Sequence, residues 1–344
     1  MKTFAHIVVL LDLLLAGFLA PEALAAQDGA STPVQAQSQQ GDQTGLPKET
    51  QAMLDRLRQK MEREAEIAEL FSRAHGLFQE GEALSKKGDR KAAEAKFDLA
   101  RQTILSVEEG VFYEPGVREY FLKLSRDIAT LIEGAAPPSG QIAIAGNGRV
   151  QQFVRHFQSK GRDGVRVAFN RLSRYEQMMR KVFREEGVPE DLIYVGLVES
   201  AYNPYALSGA GAAGIWQFVR GTGRRYGLKQ AGVLDERHDP EKSTRAAARY
   251  LHDLYGMFGD WHLALAAYNA GEYRVLKVIE KTGIKDFWEM SERRLLPQET
   301  INYVPAVLAA IAIGKHGPER RPVRRVARTN STQPAPGGRR EGGW

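Results

Sequence analysis

The chain has 344 residues, of which 43% are hydrophobic and 26% are charged, a composition that suits one or two modest globular domains. The formal net charge is +6, but residues 317–344 alone carry seven arginines against two glutamates. The remainder is therefore nearly neutral, which argues against a nucleic-acid-binding body. The chain contains no cysteine, so it forms no disulfide.

The N-terminal segment has the pattern of an export signal. An apolar run over residues 7–19 is followed by the small-x-small triplet Ala23–Ala25, which is typical of a cleavage site. We therefore expect residues 1–25 to be a cleaved signal peptide and the protein to be periplasmic. The alternative is a retained N-terminal membrane anchor. Residues 26–48 are rich in small and polar side chains and predict a flexible linker.

The remaining periodicity predicts an all-α protein. Residues 49–134 show helical spacing around a Gly88–Asp89 turn, which indicates a helical hairpin, either resembling one tetratricopeptide-type unit or serving as a plain helical spacer. Prolines and glycines at 135–140 mark a boundary. A helix-rich segment is predicted over 141–316, and the basic tail 317–344 is expected to be disordered.

Glu199 is the anomalous residue of an apolar helix. The run that leads to it is apolar nearly all round and predicts a buried helix, which we expect Pro204 to stop. Burial and the negative helix end would both raise the pKa of Glu199 and keep it protonated. The sequence thus nominates a general acid, although a glutamate at a helix end that turns to solvent is the alternative.

A glycine-rich stretch follows at residues 208–214. It matches the dinucleotide pattern G-x-G-x-x-G, but no strand leads into it, so we reject nucleotide binding. We predict a turn that lets backbone amides approach a sugar. Trp216, Gln217 and Phe218 come directly after it. The amide suits sugar hydroxyls, whereas the two aromatic rings suit either sugar stacking or the core.

Three further local patterns predict where helices begin and end and which residues share a helical face. Asp239 followed by Pro240 predicts a helix start. Asn269–Gly271 closes an apolar helix, with Gly271 suited to the position beyond its last turn. Glu299 and Tyr303 stand four residues apart and should share one helical face.

These blocks together resemble a known catalytic domain. Glu199–Ser200, the turn with Ile215–Phe218, Ala267–Gly271 and Glu299–Pro305 occur in this order, and they are similar to the soluble-type lytic transglycosylases of the goose-lysozyme-like group. The resemblance implies a lysozyme-like helical fold with Glu199 as the catalytic residue. It implies that Glu299 is an acidic residue that supports the site. It places the sugar-binding groove on Ser208, Gln217, Tyr268, Asn269 and Tyr303.

The resemblance also implies a reaction. Peptidoglycan glycan strands would be cleaved between N-acetylmuramic acid and N-acetylglucosamine, leaving a 1,6-anhydromuramyl end, with Glu199 as acid and then base and Tyr303 bonded to it. One departure concerns Val219–Arg220, where the family usually has Met-Pro. Arg220 would contact an anionic group of the wall or simply face solvent.

Two other functions stay open from the sequence. A lysozyme-like hydrolase would need a second carboxylate, for which Asp235, Asp239 and Glu299 are candidates. A non-catalytic wall-binding scaffold is the other. We expect no cofactor, because the seven histidines are scattered without ligand spacing. The basic tail would hold anionic wall polymers or lipid, or would only be solvated.

Overall fold

A computed structural model provides the fold of the chain. It describes residues 47–114, 116–133, 142, 144, 146–232 and 234–316. The predicted signal peptide at 1–25, nearly all of the linker at 26–48, the break at 135–140 and the basic tail at 317–344 lie outside the described residues and remain predictions.

The predicted all-α class is confirmed. The described residues form fourteen α-helices, α1 (Lys48–Lys86), α2 (Arg90–Leu105), α3 (Glu109–Phe112), α4 (Val117–Glu133), α5 (Gly148–Gln158), α6 (Arg162–Leu172), α7 (Glu176–Glu185), α8 (Val195–Ser200), α9 (Arg220–Arg225), α10 (Pro240–Phe258), α11 (Trp261–Ala270), α12 (Glu272–Thr282), α13 (Phe287–Glu292) and α14 (Gln298–His316). Two 3-10 helices, Glu190–Tyr194 and Glu236–His238, and one antiparallel pair, β1 (Gln230–Ala231) and β2 (Leu234–Asp235), complete the elements. None of the described helices has both the length and the apolar character that crossing a bilayer requires.

The chain divides into two units between Arg58 and Gln59. In the first, the described residues begin α1, and the Gln51 side-chain amide donates a hydrogen bond to Asp55 at 3.2 Å. The buried hydrophobic core belongs to the second unit.

Helices α1 and α2 form the predicted hairpin. Gly88 takes φ +82° after α1, and the Asp89 carboxylate caps α2 by accepting a hydrogen bond from the Ala92 backbone N–H at 3.1 Å. The two helices approach closely at Gly81, because a Cβ built there would lie 2.5 Å from the Phe97 ring. A glycine is therefore required where the hairpin closes.

A buried ion pair joins the N-terminal helices to the later ones. Arg118 on α4 donates to Glu272 on α12 at 2.6 Å, and both side chains are 2% exposed. Tyr250 donates to the second Glu272 oxygen at 2.8 Å. Because an unpaired buried charge is strongly destabilising, these contacts tie α4 to the segment that follows α11.

The helix that carries Glu199 is buried as predicted, but its limits differ. It starts as the 3-10 helix 190–194 and continues as α8, which has six residues. Pro204 does not stop it. The helix ends at Ser200 because Ala201 and Tyr202 both take left-handed backbone angles, with φ of 51° and 56°.

The glycine-rich stretch is a tight turn. Ala213 bridges to both Leu207 and Phe218, and the described residues contain no strand-helix-strand unit around it. Gly214 takes φ +80°, and a Cβ built on it would lie 1.9 Å from the Arg237 carbonyl oxygen. This turn therefore depends on glycine at position 214.

We expect Gly214→Ala to destabilise the protein by about 2–4 kcal/mol, because the new methyl group collides with backbone and the residue keeps a left-handed angle. Urea unfolding of the purified protein measures the change. The matched control is Gly211→Ala, which has φ +77° and nothing within 4 Å of the added Cβ, and which should cost only about 1–2 kcal/mol. Equal losses in both variants would contradict the proposed clash.

Candidate active site

A cleft of about 940 Å³ collects the residues that the sequence nominated. Its lining comes from the end of α8, the glycine-rich turn with the start of α9, the C-terminal turn of α11, and the first turns of α14. All seven predicted site residues line it, namely Glu199, Ser208, Gln217, Tyr268, Asn269, Glu299 and Tyr303.

Glu199 and Tyr303 make the shortest polar contact in the cleft. The Tyr303 hydroxyl donates a hydrogen bond to Glu199 Oε1 at 2.5 Å, as the sequence predicted. Tyr303 is 6% exposed, so its ring fixes the hydroxyl in place. Glu199 Oε2 has no hydrogen-bond partner within the described part of the chain. One carboxyl oxygen is thus held by protein and the other is free to meet a ligand.

The environment of Glu199 raises its pKa from 4.5 to about 7. Burial is the largest cause, because the surrounding protein disfavours the charged carboxylate. The hydrogen bond from Tyr303 opposes this by stabilising the anion, and the negative charge of Glu299 adds a further increase. Since Glu199 is half-buried and lines the cleft, it is a carboxylic acid that carries a proton near neutral pH and contacts the space where a substrate would lie.

The side chains at the end of α11 and the start of α14 hold each other. Tyr268 donates to the Trp216 carbonyl at 2.8 Å, and the Thr300 hydroxyl donates to Asn269 Oδ1 at 2.7 Å. The Asn269 amide reaches Glu299 at 3.5 Å. The hydroxyl of Tyr268 and the side-chain amide of Asn269 therefore form hydrogen bonds with other protein groups that line or adjoin the cleft.

The glycine-rich turn uses its polar side chains in the same way. Ser208 Oγ accepts a hydrogen bond from the Ala212 backbone N–H at 3.0 Å. Gln217 Nε2 donates to the Gly214 carbonyl at 2.9 Å, and the backbone of Gln217 is left-handed, with φ +47°. Both side chains line the cleft and brace the turn from inside.

Of the two interpretations of the aromatic residues, the core interpretation is correct. Trp216 is fully buried, stacks on Phe183 with ring centroids 5.4 Å apart, and donates its indole N–H to Thr244 at 3.0 Å. Phe218 is 3% exposed, although its edge borders the cleft. Neither ring is free to stack on a sugar.

The carboxylates proposed as a second catalytic acid have different positions. Asp235 binds the Arg237 guanidinium, which lowers the pKa of Asp235, and Asp239 caps α10. Neither lines the cleft, whereas Glu299 does. Within the described ranges, no group of three or more histidines and acids is placed to hold a metal ion.

Several cleft residues were not found from the sequence, and three of them are polar residues from outside the predicted blocks. Tyr113 follows α3, Arg225 ends α9 and Glu272 begins α12. No motif marks Tyr113, which reaches the cleft only through the packing of the N-terminal helices. Arg225 adjoins the exposed Arg224, and Glu272 directly follows the predicted Asn269–Gly271 turn.

The fold and the cleft define a helical domain whose cleft contains a half-buried glutamate with a raised pKa. Residues 177–291 match the family model of the transglycosylase SLT domain, so the chain carries such a domain. Over 138 residues it is 46% identical to membrane-bound lytic murein transglycosylase D of Escherichia coli (strain K12), which covers 39% of this chain and 30% of that protein.

A second curated relative and a solved structure are also similar to this chain. Membrane-bound lytic murein transglycosylase F of Maricaulis maris (strain MCS10) is 33% identical over 138 residues, covering 36% of this chain and 29% of that protein. The solved complex of the 70-kDa soluble lytic transglycosylase with bulgecin A covers 70% of this chain and 51% of that chain, with 19% identity and a TM-score of 0.38. The chain thus spans less than a third of the length of these two curated relatives.

We expect Glu199→Gln to stabilise the folded protein at alkaline pH. Between pH 4.5 and about 7 the unfolded chain loses the Glu199 proton while the native state retains it. The native state therefore loses stability relative to the unfolded chain across that window, and the amide variant does not. The gain should be near zero at about pH 4.5 and approach about 2–3 kcal/mol above about pH 8. Urea unfolding at both pH values tests this.

The matched control is Glu292→Gln, which changes an exposed glutamate at the end of α13. Its stability difference from the parent should stay small at both pH values. A Glu199→Gln gain that does not depend on pH would contradict a protonated Glu199 in the native state.

Proposed function

We propose that this protein is a peptidoglycan lytic transglycosylase with a lysozyme-like catalytic domain. The observation that carries the proposal is Glu199, an acid with a pKa of about 7 that lines a 940 Å³ cleft and is held by the Tyr303 hydroxyl. The SLT domain match over 177–291 and the names of the related proteins support the same substrate class.

In the proposed reaction, protonated Glu199 donates its proton to the oxygen that joins N-acetylmuramic acid to N-acetylglucosamine. The bond from C1 of the muramyl residue to this oxygen breaks, and the N-acetylglucosamine leaves with a 4-hydroxyl group. The acetamido oxygen of the muramyl residue stabilises the electron-poor C1. The Glu199 carboxylate then removes the proton of the 6-hydroxyl, whose oxygen bonds to C1. A 1,6-anhydromuramyl end forms, and Glu199 is protonated again.

The other predicted site residues would bind and orient the sugars. Gln217 Oε1 and the backbone of the turn at 208–214 offer groups for sugar hydroxyls beside Glu199. Tyr268 and Asn269 would act through the walls that they brace. Glu299 would keep the pKa of Glu199 high through its charge.

A transglycosylase fits this cleft better than a hydrolase does. Of the carboxylates considered as a second acid, Asp235 is bound to Arg237 and Asp239 caps a helix. Glu299 is exposed on the rim and contacts Asn269. A single acid that also recovers the proton needs no second carboxylate.

We further propose a periplasmic or membrane-associated location. The export pattern at residues 1–25 and the membrane-bound names of the relatives support it. Contact of the basic tail 317–344 with anionic wall polymers or lipid remains a proposal from charge alone.

Product analysis tests the proposed reaction. Purified protein incubated with isolated sacculi should release muropeptides with 1,6-anhydromuramyl ends, identified by mass spectrometry. Glu199→Gln should lower the initial rate by about 10²- to 10⁴-fold, because the amide neither donates nor accepts the proton. Reducing ends alone would indicate a hydrolase, and no release by the parent would indicate a binding protein.

The pH dependence of the reaction offers a second test. The rate should fall as pH rises through about 7, because Glu199 loses the proton that it must donate. Tyr303→Phe removes a hydrogen bond that lowers this pKa, so the alkaline limb of kcat/KM should move to higher pH. Tyr205→Phe, at a side chain that is 79% exposed, serves as the control and should leave the limb in place. A shift of the Tyr303→Phe limb to lower pH would rule out the assigned hydrogen bond.

A further inference from the structure

A tyrosine from the N-terminal helices and an arginine from α9 form one part of the cleft wall. The Arg225 guanidinium lies over the Tyr113 ring, 4.8 Å from its centroid, and both residues line the cleft with Glu199. Tyr113 also lies beside the α11 turn, because a Cβ built on Gly271 would be 3.6 Å from the Tyr113 hydroxyl oxygen. The proposed sugar-cleaving reaction assigns no role to this pair.

The positive charge of Arg225 is only partly compensated. Its nearest acid, Glu272, is 3.5 Å away, and Glu272 is already bound by Arg118 at 2.6 Å and by the Tyr250 hydroxyl at 2.8 Å. Two arginines therefore share one carboxylate. The contact of Arg225 with Glu272 is a long ion pair. The Arg225 side chain is 23% exposed and lines the cleft.

We propose that Arg225, packed on Tyr113, binds a carboxylate attached to the muramyl residue of the glycan strand. The inference rests on the proposed function and names the part of the substrate that this wall recognises. A guanidinium presents paired N–H donors that match a carboxylate, and an aromatic ring against one face keeps it oriented. In peptidoglycan such a carboxylate comes from the lactyl group itself or from the stem peptide attached to it.

The distribution of charge in the cleft allows this contact to set the register in which a glycan strand binds. Glu299 places negative charge in the same cleft as Arg225, and it repels a carboxylate that lies beside it. Arg225 attracts it. A strand carrying carboxylates on its muramyl residues therefore binds in the register that places one of them at Arg225, whereas a neutral strand has no such preference.

The test measures binding in the Glu199→Gln background, in which the ligand is not cleaved. Isothermal titration calorimetry measures the dissociation constants of three soluble probes. These are neutral chitohexaose, peptide-free glycan fragments with a free lactyl carboxylate, and glycan fragments that carry stem peptides. We expect the protein to prefer at least one anionic probe over chitohexaose. Adding Arg225→Gln should reduce that preference about tenfold, the usual effect of losing one charge-assisted contact. The probe whose preference falls identifies the source of the carboxylate.

Two further variants separate recognition from stability. Arg225→Lys keeps the charge without the paired donors, so it should retain part of the preference. Arg224→Gln removes an exposed charge from the same helix outside the cleft lining and should keep the preference intact. Thermal melting of every variant verifies folding.

The outcomes distinguish the two proposals. The carboxylate site is overturned if folded Arg225→Gln and Arg224→Gln show the same preference for anionic probes over chitohexaose. It is also overturned if the protein without either substitution binds chitohexaose and both anionic probes with equal affinity. The proposed reaction survives either result as long as the parent releases 1,6-anhydromuramyl ends from sacculi. If no such ends appear, the reaction fails independently of the binding data.

Discussion

The arrangement of the cleft depends on the partial burial of one carboxylic acid, Glu199. An isolated carboxylate is costly in such surroundings, so the group retains its proton. The Tyr303 hydroxyl at 2.5 Å limits the effect, because without it the acid would be still weaker. Helix α8 has only six residues, of which Val195, Gly196 and Leu197 are buried. Its packing therefore fixes the position of the acid, and α14 only has to supply the partner.

The remaining polar groups mostly form the frame of the cleft. Tyr268 holds the Trp216 carbonyl, Thr300 holds Asn269, and Gln217 holds the turn that contains Gly214. Such bonds are present before a ligand arrives, so binding need not organise these walls. Preorganised walls of this kind reduce the reorganisation that a reaction requires. The walls of the cleft can therefore stay in place while Glu199 transfers its proton.

Much of the cleft could be predicted because its signals are local. Glu199 is conspicuous as an acid in an apolar run, and the spacing of Glu299 and Tyr303 placed them on one face. The left-handed residues that end α8 gave no such signal, since Ala201 and Tyr202 are not residues that usually adopt this conformation. Tyr113 was also missed, because it enters the cleft through packing between helices distant in sequence, which periodicity does not report.

The ion pair between Arg118 and Glu272 has an evolutionary consequence. The matched SLT segment, residues 177–291, contains the acid but not the base. A genetic exchange that transplanted this segment onto another N-terminal partner would leave a buried negative charge without its nearest counter-ion. Only a recipient that supplied an equivalent cation, or a compensating substitution at position 272, would keep the graft stable. The segment therefore depends on the N-terminal helices for the cation that lies nearest to Glu272.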